Sequence, residues 1–225
     1  MKKIGGAKAS SGYRVVARGA DRAEIYVYGP IGMSFWDDGV SAAQFQKDLK
    51  ALGSAIKTID LRINSEGGDV MDARAMYTLL VQHQAKVIAH IDGLAASAAS
   101  FLAMAGDEIE ISEGGFFMIH NSRMTARGGA DDFRRAADLL DQVDVTICDT
   151  YCARSKKDPG KVKKWMDDET WFTGKEAVEH GFADKMVENL QVAASVRDAT
   201  GFKNIPTQLL PRRAAALAKI AALAR

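Results

Sequence analysis

The sequence predicts an α/β fold in which a largely parallel sheet is covered by helices. Short β-rich runs alternate with stretches of helical periodicity from residue 23 to residue 119. The connections between successive runs are short and helical, as parallel strands require, with right-handed crossovers as the default. An apolar content of 47% beside 26% charged residues supplies a real core, and no apolar stretch approaches the roughly 20 residues that span a bilayer.

The elements follow in order. Residues 1–12, rich in Lys, Gly and Ser, read as a flexible N-terminal segment. Residues 13–17 form a short strand, and 23–28 an alternating one stopped by Gly29-Pro30. After a loop carrying Phe35 and Trp36, Ser41 caps a helix with Phe45, Leu49 and Leu52 at helix spacing. The strand 58–63 ends at Asn64-Ser65-Glu66-Gly67-Gly68-Asp69, and a helix covers 70–84. The strand 87–91 leads to Gly93, and the small residues after it read as an apolar helix through Phe101 and Met104. Residues 108–111 and 116–119 are two more strands, with His120 at the end of the second.

Beyond Gly128-Gly129 the pattern predicts one long helix, Ala130–Ser155, whose second half leaves little polar surface on one face and so packs against something, another subunit included. Asp158-Pro159 opens a short helix to Met166. An extended piece, 169–172, precedes a helix capped at Thr173 and ending at His180-Gly181, and 182–187 returns to the sheet. The core domain is therefore 13–188. Residues 189–225 are a C-terminal extension, broken by Pro206 and Pro211 and ending in a basic Ala/Leu-rich helix over 212–225.

In parallel α/β sheets ligands bind beyond the carboxyl ends of the strands. Gly67-Gly68, Ser97 and His120 all lie at such ends. Ser97 at a strand-to-helix mouth is a candidate nucleophile beside free backbone N–H groups. His120 is the candidate base, the Gly-Gly turn offers unobstructed amides for an oxyanion, and Asp167-Asp168-Glu169 offers three carboxylates to orient the imidazole. Singly, each has an ordinary structural reading: a packing serine, a strand-boundary histidine, a turn, a solvated acidic face. Together they favour a Ser–His hydrolase.

Other functions find little support. Thirty basic against 29 acidic side chains give a net charge of +1, so nothing points to nucleic acid. Cys148 and Cys152, four apart on a helix, make neither a disulfide framework nor a metal site, and fit packing in a reducing, cytoplasmic compartment. No His-Glu-x-x-His or Cys-x-x-Cys pattern indicates a metal, no phosphate-loop or dinucleotide spacing indicates a cofactor, and no signal peptide or membrane span is expected. His83, His90 and His180 read as structural.

At these residues the chain resembles the Clp-type (ClpP-like) serine proteases over about residues 23–187. Asn64-Ser65-Glu66-Gly67-Gly68 is similar to the family's Asn-Ser-Pro-Gly-Gly turn, with Glu66 in place of proline. Gly93-Leu94-Ala95-Ala96-Ser97 resembles its Gly-x-Ala-Ala-Ser segment, and Met118-Ile119-His120 its Met-Ile-His motif. Glu176-Ala177 through Gly181 to Asp184 resembles the block after the catalytic acid.

The resemblance implies a ClpP/crotonase-like fold with the long helix as the element of ring stacking. It further implies Ser97 as nucleophile, His120 as general base, and the amides of Gly67 and Ala98 as the oxyanion hole. The family's acid is usually Asp, and the register places Glu169 there. Asp167 shares its side of an extended segment, whereas Asp168 points away. The run Glu169-Thr170-Trp171-Phe172-Thr173 looks like the phage and prophage head-maturation branch. The segment before residue 23 is unlike the region that engages an unfoldase ring, which counts against an ATPase partner. The expectation is a cofactor-free serine endopeptidase acting on protein or peptide, plausibly a capsid or scaffold precursor, and self-associating into a ring. Its rivals are a crotonase-type acyl-CoA enzyme of the same fold and a non-catalytic ring-forming scaffold protein.

Overall fold

A computed structural model describes residues 12–32, 39–188 and 202–210. The expected basic helix over 212–225, nearly all of the N-terminal segment and most of the Phe35–Trp36 loop lie outside the described residues. Six strands form the spine of the sheet: β1 (Gly12–Ala17), β2 (Arg22–Tyr28), β3 (Thr58–Ser65), β4 (Lys86–Ala96), β5 (Glu108–Ser112) and β8 (Lys185–Val187), side by side in that order. Only β1 is antiparallel to its neighbour; every other contact along the spine is parallel. The expected largely parallel α/β architecture is what the chain adopts.

The strands become core because their alternate side chains point inward. Ile25, Ile59, Leu61, Ile63, Val87, Ala89, Ile91 and Ile109 are all essentially buried. Against them pack α1 (Ala42–Ala51), α2 (Val70–Val81) and α3 (Ala98–Ala103), the first two capped by Ser41 and Asp69. The remaining helices are α4 (Ala130–Ser155), α5 (Pro159–Asp167) and α6 (Gly174–Glu179). Asp158 caps α5 through the N–H of Lys161, and Thr173 with Glu176 forms a capping box on α6.

The element that differs most from expectation is β4. The sequence reads as a strand to Ile91 and a helix after Gly93, but the strand runs through Ala96 and the helix begins only at Ala98. The extra length serves two partners. The first half of β4 pairs with β5, and its end, Leu94 to Ala96, pairs with β6 (Phe116–Ile119). A register shift against β3 between Ile63 and Ser65 absorbs the bend. Strand β6 in turn pairs antiparallel with β7 (Thr170–Thr173).

This small β4–β6–β7 annex carries its own apolar cluster of Leu94, Ala96, Met118 and Leu209, flanked by Phe116 and Trp171. Residue 209 belongs to the C-terminal extension, so part of that extension is built into the domain. Among the described residues no helix is long and apolar enough to cross a membrane.

Candidate active site

Ser97 sits between the end of β4 and the start of α3, with φ 54° and ψ −127°. Three non-glycine residues among those described have positive φ: Ser97, Lys156 and Glu169. Lys156 is the C-cap of α4, an ordinary place for a left-handed residue. The other two are expected site residues. Backbone held in sparsely populated regions costs of order 1–3 kcal/mol per residue and clusters at functional sites.

The turn projects the hydroxyl onto His120, whose Nε2 lies 2.7 Å from Ser97 Oγ. Its local frame is fixed from three sides. The Ser97 N–H donates to Met118 O at 3.1 Å, tying the serine to the strand that delivers the histidine. Ser100, completely buried, has its hydroxyl 2.7 Å from the carbonyl oxygens of Ser97 and Met118 and 2.8 Å from Tyr151 Oη on α4. Ser100 is therefore the structural serine of the pair and Ser97 the presented one.

The pairing of β6 with β7 separates the three carboxylates. Its last pair is Ile119 with Thr170, and carried one step further the antiparallel ladder sets His120 opposite Glu169. Glu169 is 3% exposed, whereas the other two candidates are surface groups. Asp167 accepts from Lys163 and from Asn121, and Asp168 pairs with Lys164. Asp167 shares the expected strand side of Glu169 only if the segment is extended. Instead α5 runs through Asp167, and the left-handed turn at Glu169 redirects the chain inward.

Glu169 Oε2 accepts from Arg123 at 2.6 Å, and Oε1 from the backbone N–H groups of Lys203 and Asn204 at 2.6 and 2.8 Å. Burial opposes its ionisation, but the Asn204 N–H, Arg123, the Lys203 N–H and Trp171 outweigh it and hold the carboxyl below its ordinary value. His120 Nδ1 is buried and has no hydrogen-bond partner among the described residues. Ser97 and His120 are thus joined, and His120 and Glu169 are neighbours with no hydrogen bond made between them.

Arg123 is a site residue that the sequence reading missed. Its available signal was a cation three residues beyond the base on the same strand-end segment. It bears on the base directly. Burial, then the Arg123 charge, push the His120 pKa down to about 4, with Glu169 pulling the other way. A general base works only when neutral, and its neutral fraction falls as pH drops through its pKa. Acylation of Ser97 is therefore expected to stay level from neutral pH down to about pH 5 and to fall only near pH 4. Arg123→Gln removes a cation that disfavours imidazolium, so the acid limb is expected to move to higher pH in a pH–rate profile of acylation. An unmoved limb would show that Arg123 does not act on His120.

One expected residue, Gly67, has its N–H turned to another partner. The Gly67 N–H is already committed to Ser65 Oγ at 3.0 Å, and that hydroxyl donates to Gly29 O at 2.6 Å. The amide that faces the serine belongs to Gly68. Ile31 pairs in parallel fashion with the turn, its N–H donating to Gly67 O and its carbonyl accepting from Asp69 N, so the Gly68 N–H points the opposite way, toward β4. Gly68 and Ala98 both line the cavity at Ser97. Gly67 is glycine for a different reason. A Cβ there would lie 2.6 Å from Ala96 O and 2.8 Å from Ala98 N, so the turn could not approach the serine.

The cavity, about 350 Å³, opens from Ser97 and His120 onto Met71, Phe101, Met124, Leu139 and Val143. The remaining histidines are occupied elsewhere. His90 bridges Asp60 and Glu110, His83 Nδ1 accepts from Ala85 N, and His180 packs on Trp165. Cys148 and Cys152 are free thiols 3.8 Å apart on α4. Among the described residues no group of His, Cys, Asp and Glu is arranged to hold a metal ion.

A parallel sheet that delivers a strained serine to a histidine at its carboxyl edge, with a side annex carrying a carboxylate, is the architecture of a ClpP/crotonase-like serine hydrolase. Comparison with known proteins takes this one step further. The Clp protease family model matches residues 8–190. The ATP-dependent Clp protease proteolytic subunit of Porphyromonas gingivalis is 31% identical over 160 residues, covering 67% of this chain and 70% of that protein. The ATP-dependent Clp protease proteolytic subunit 2 of Treponema denticola is 30% identical over 138 residues, covering 60% of this chain and 69% of that one. The chain belongs to the Clp protease family and is a serine-type peptidase, which sets aside the acyl-CoA and non-catalytic alternatives.

Proposed function

We propose that the protein is a serine endopeptidase in which Ser97 attacks the scissile carbonyl, His120 takes its proton, and Glu169 orients and supports the imidazole. The observation that carries this reading is the 2.7 Å contact between His120 Nε2 and Ser97 Oγ on a positive-φ serine. Developing negative charge on the carbonyl oxygen is received by the N–H groups of Gly68 and Ala98. Collapse of the tetrahedral intermediate passes the proton from His120 to the leaving amine, and water, activated by the same imidazole, releases the acyl group.

The cavity beside Ser97 defines the side chain that precedes the cut. Most of its side-chain lining is methionine, leucine, isoleucine, valine and phenylalanine, with Asp69 and Arg123 as one charge of each sign, so a large unbranched or γ-branched apolar residue fills it best. Protein substrates and self-association into a ring accord with the family. Helix α4, about 39 Å long by its rise per residue, exposes large apolar side chains, Phe133 at 53% and Val145 at 61%, on different sides, suited to burial against more than one neighbouring element of a second copy. Maturation of a phage capsid or scaffold precursor in the cytoplasm, without an unfoldase ATPase, is the finer reading. It is supported by the Glu169-to-Thr173 run and the basic tail beyond residue 189.

The test is covalent labelling. A fluorophosphonate is expected to modify Ser97 and no other residue, located by peptide mass mapping, and labelling is expected to vanish in His120→Ala. Among fluorogenic peptides, Leu or Met before the cut is expected to exceed Asp or Lys by about 10- to 100-fold in kcat/KM, the worth of burying one such side chain. Absence of label on the assembled protein would end the endopeptidase reading. A preference for charged residues would end the reading of the cavity.

A further inference from the structure

The C-terminal extension reaches back to the active site. Phe202 lies with its ring centroid 5.9 Å from that of His120 and packs edge-on against Trp171 at 5.6 Å. The next two residues give their backbone N–H groups to Glu169 Oε1, and Asn204 Nδ2 donates to Asp168 O at 2.7 Å. Farther on, Ile205 and Leu209 enter the annex cluster, where Leu209 is 2% exposed. A single strap, 202–210, therefore touches the base, holds the acid, and is anchored by a buried side chain.

Two unmet hydrogen-bonding needs lie beside it. Among the described residues His120 Nδ1 is buried without a partner, and Glu169 Oε2 accepts from Arg123 alone although a carboxylate oxygen has two lone pairs. Oε1, by contrast, is crowded by Lys203, Asn204 and, at 3.4 Å, Trp171 Nε1. Glutamate has one more rotatable bond than aspartate, so its carboxylate needs an additional restraint to act as a fixed partner. The strap's amides are that restraint.

We propose that the strap 202–210 is a positioning element of the active site: the backbone N–H groups of Lys203 and Asn204 fix Glu169 by Oε1 so that Oε2 is kept for His120 Nδ1–H, while Phe202 holds the imidazole from the side. Lys203 and Asn204 act through Glu169 and touch neither substrate nor the reacting atoms. The proposal rests on Glu169 as the acid of the peptidase reading above.

The experiment separates backbone from side chain in the full-length chain. Asn204→Pro removes the N–H to Glu169, whereas Asn204→Ala keeps it. Leu209→Asp undocks the strap from a distance. Fluorophosphonate labelling rates at Ser97, and kcat and KM for an apolar peptide, are read for each. Asn204→Pro and Leu209→Asp are expected to slow acylation and lower kcat by about 10- to 100-fold, the cost of displacing a catalytic group by an ångström or so. KM is expected to be unchanged and Asn204→Ala to stay within about twofold.

A downfield imidazole N–H proton resonance, present in the parent protein once Ser97 carries the phosphonate and His120 is protonated, is expected to be lost in the same two variants. If Asn204→Pro does not fold, Leu209→Asp gives the answer alone. Parent-like rates in the strap variants, an equal loss in Asn204→Ala, or a loss confined to KM would overturn the proposal. Failure of the parent protein to label at Ser97 would instead overturn the peptidase reading, so the two failures are distinct.

Discussion

Replacing Ser97 by alanine is expected to lower peptide cleavage by about a million-fold, with His120→Ala and the double variant costing about as much as either alone. The reason is that the two side chains act as one group. Without the imidazole 2.7 Å from Oγ, the hydroxyl has nowhere to send its proton, and without the hydroxyl the imidazole has nothing to activate. What remains in the proposed mechanism is binding and the Gly68 and Ala98 amides, which would still favour the tetrahedral oxyanion over bulk water. Turnover by purified variants, with contaminating protease excluded by a mock purification from cells that do not express the protein, checks this. Additive losses would show that Ser97 and His120 do not function as a unit.

Ser97→Gly adds a stability arm. Glycine accepts φ 54° and ψ −127° without the Cβ penalty, so this variant is expected to be equally inactive yet about 1 kcal/mol more stable to denaturant than Ser97→Ala. Equal stability of the two would mean that the serine backbone is not strained.

The meeting of Ser97 and His120 is legible because strand ends are legible. A β-branched run followed by glycine, and an apolar run followed by histidine, place Ser97 and His120 on the same edge of a parallel sheet whatever the details between them. The reading of 93–96 as helix failed for a physical reason. Small residues have weak local preference, and the pairing of β4 with β3 on one side and β6 on the other overrode it. Gly67 and Gly68 are indistinguishable as letters. Only the bridge to Ile31 sets which amide faces the serine, and that contact joins segments more than thirty residues apart.

The strap lay beyond sequence reading altogether, because it acts through main-chain N–H groups that every residue but proline carries. The carboxylate was more readable than it looked. Lys163 with Asp167 and Lys164 with Asp168 are pairs at i,i+4, the spacing of neighbours on a helix, and both pairs form. Once those two aspartates are assigned to a helix surface, Glu169 is the carboxylate left to turn inward.

Glu169→Gln is accordingly expected to lower kcat by about 10²- to 10⁴-fold, while Asp167→Asn and Asp168→Asn change it by less than about twofold. The amide is nearly isosteric and keeps an oxygen for the Lys203 and Asn204 N–H groups, but it carries no charge to stabilise imidazolium when His120 takes the serine proton. It also presents an NH2 that can face either Arg123 or His120 Nδ1, both of which donate. Glu169→Asp retains the charge and loses a methylene of reach, so an intermediate loss is expected, with the carboxylate withdrawn from the strap amides. The two exposed aspartates pair with lysines on the surface of α5, where an ion pair contributes at most a few tenths of a kcal/mol, and the bond that Asp167 also accepts from Asn121 is one an asparagine oxygen can still accept, so their loss is expected to leave the imidazole in place. Measurement of kcat for the four variants at pH 7 ranks the carboxylates. A large loss in Asp168→Asn would mean that the β6–β7 ladder does not continue to His120 and Glu169. A parent-like Glu169→Gln would mean that the enzyme works with Ser97 and His120 alone, and that the buried glutamate serves only to bind Arg123 and the strap.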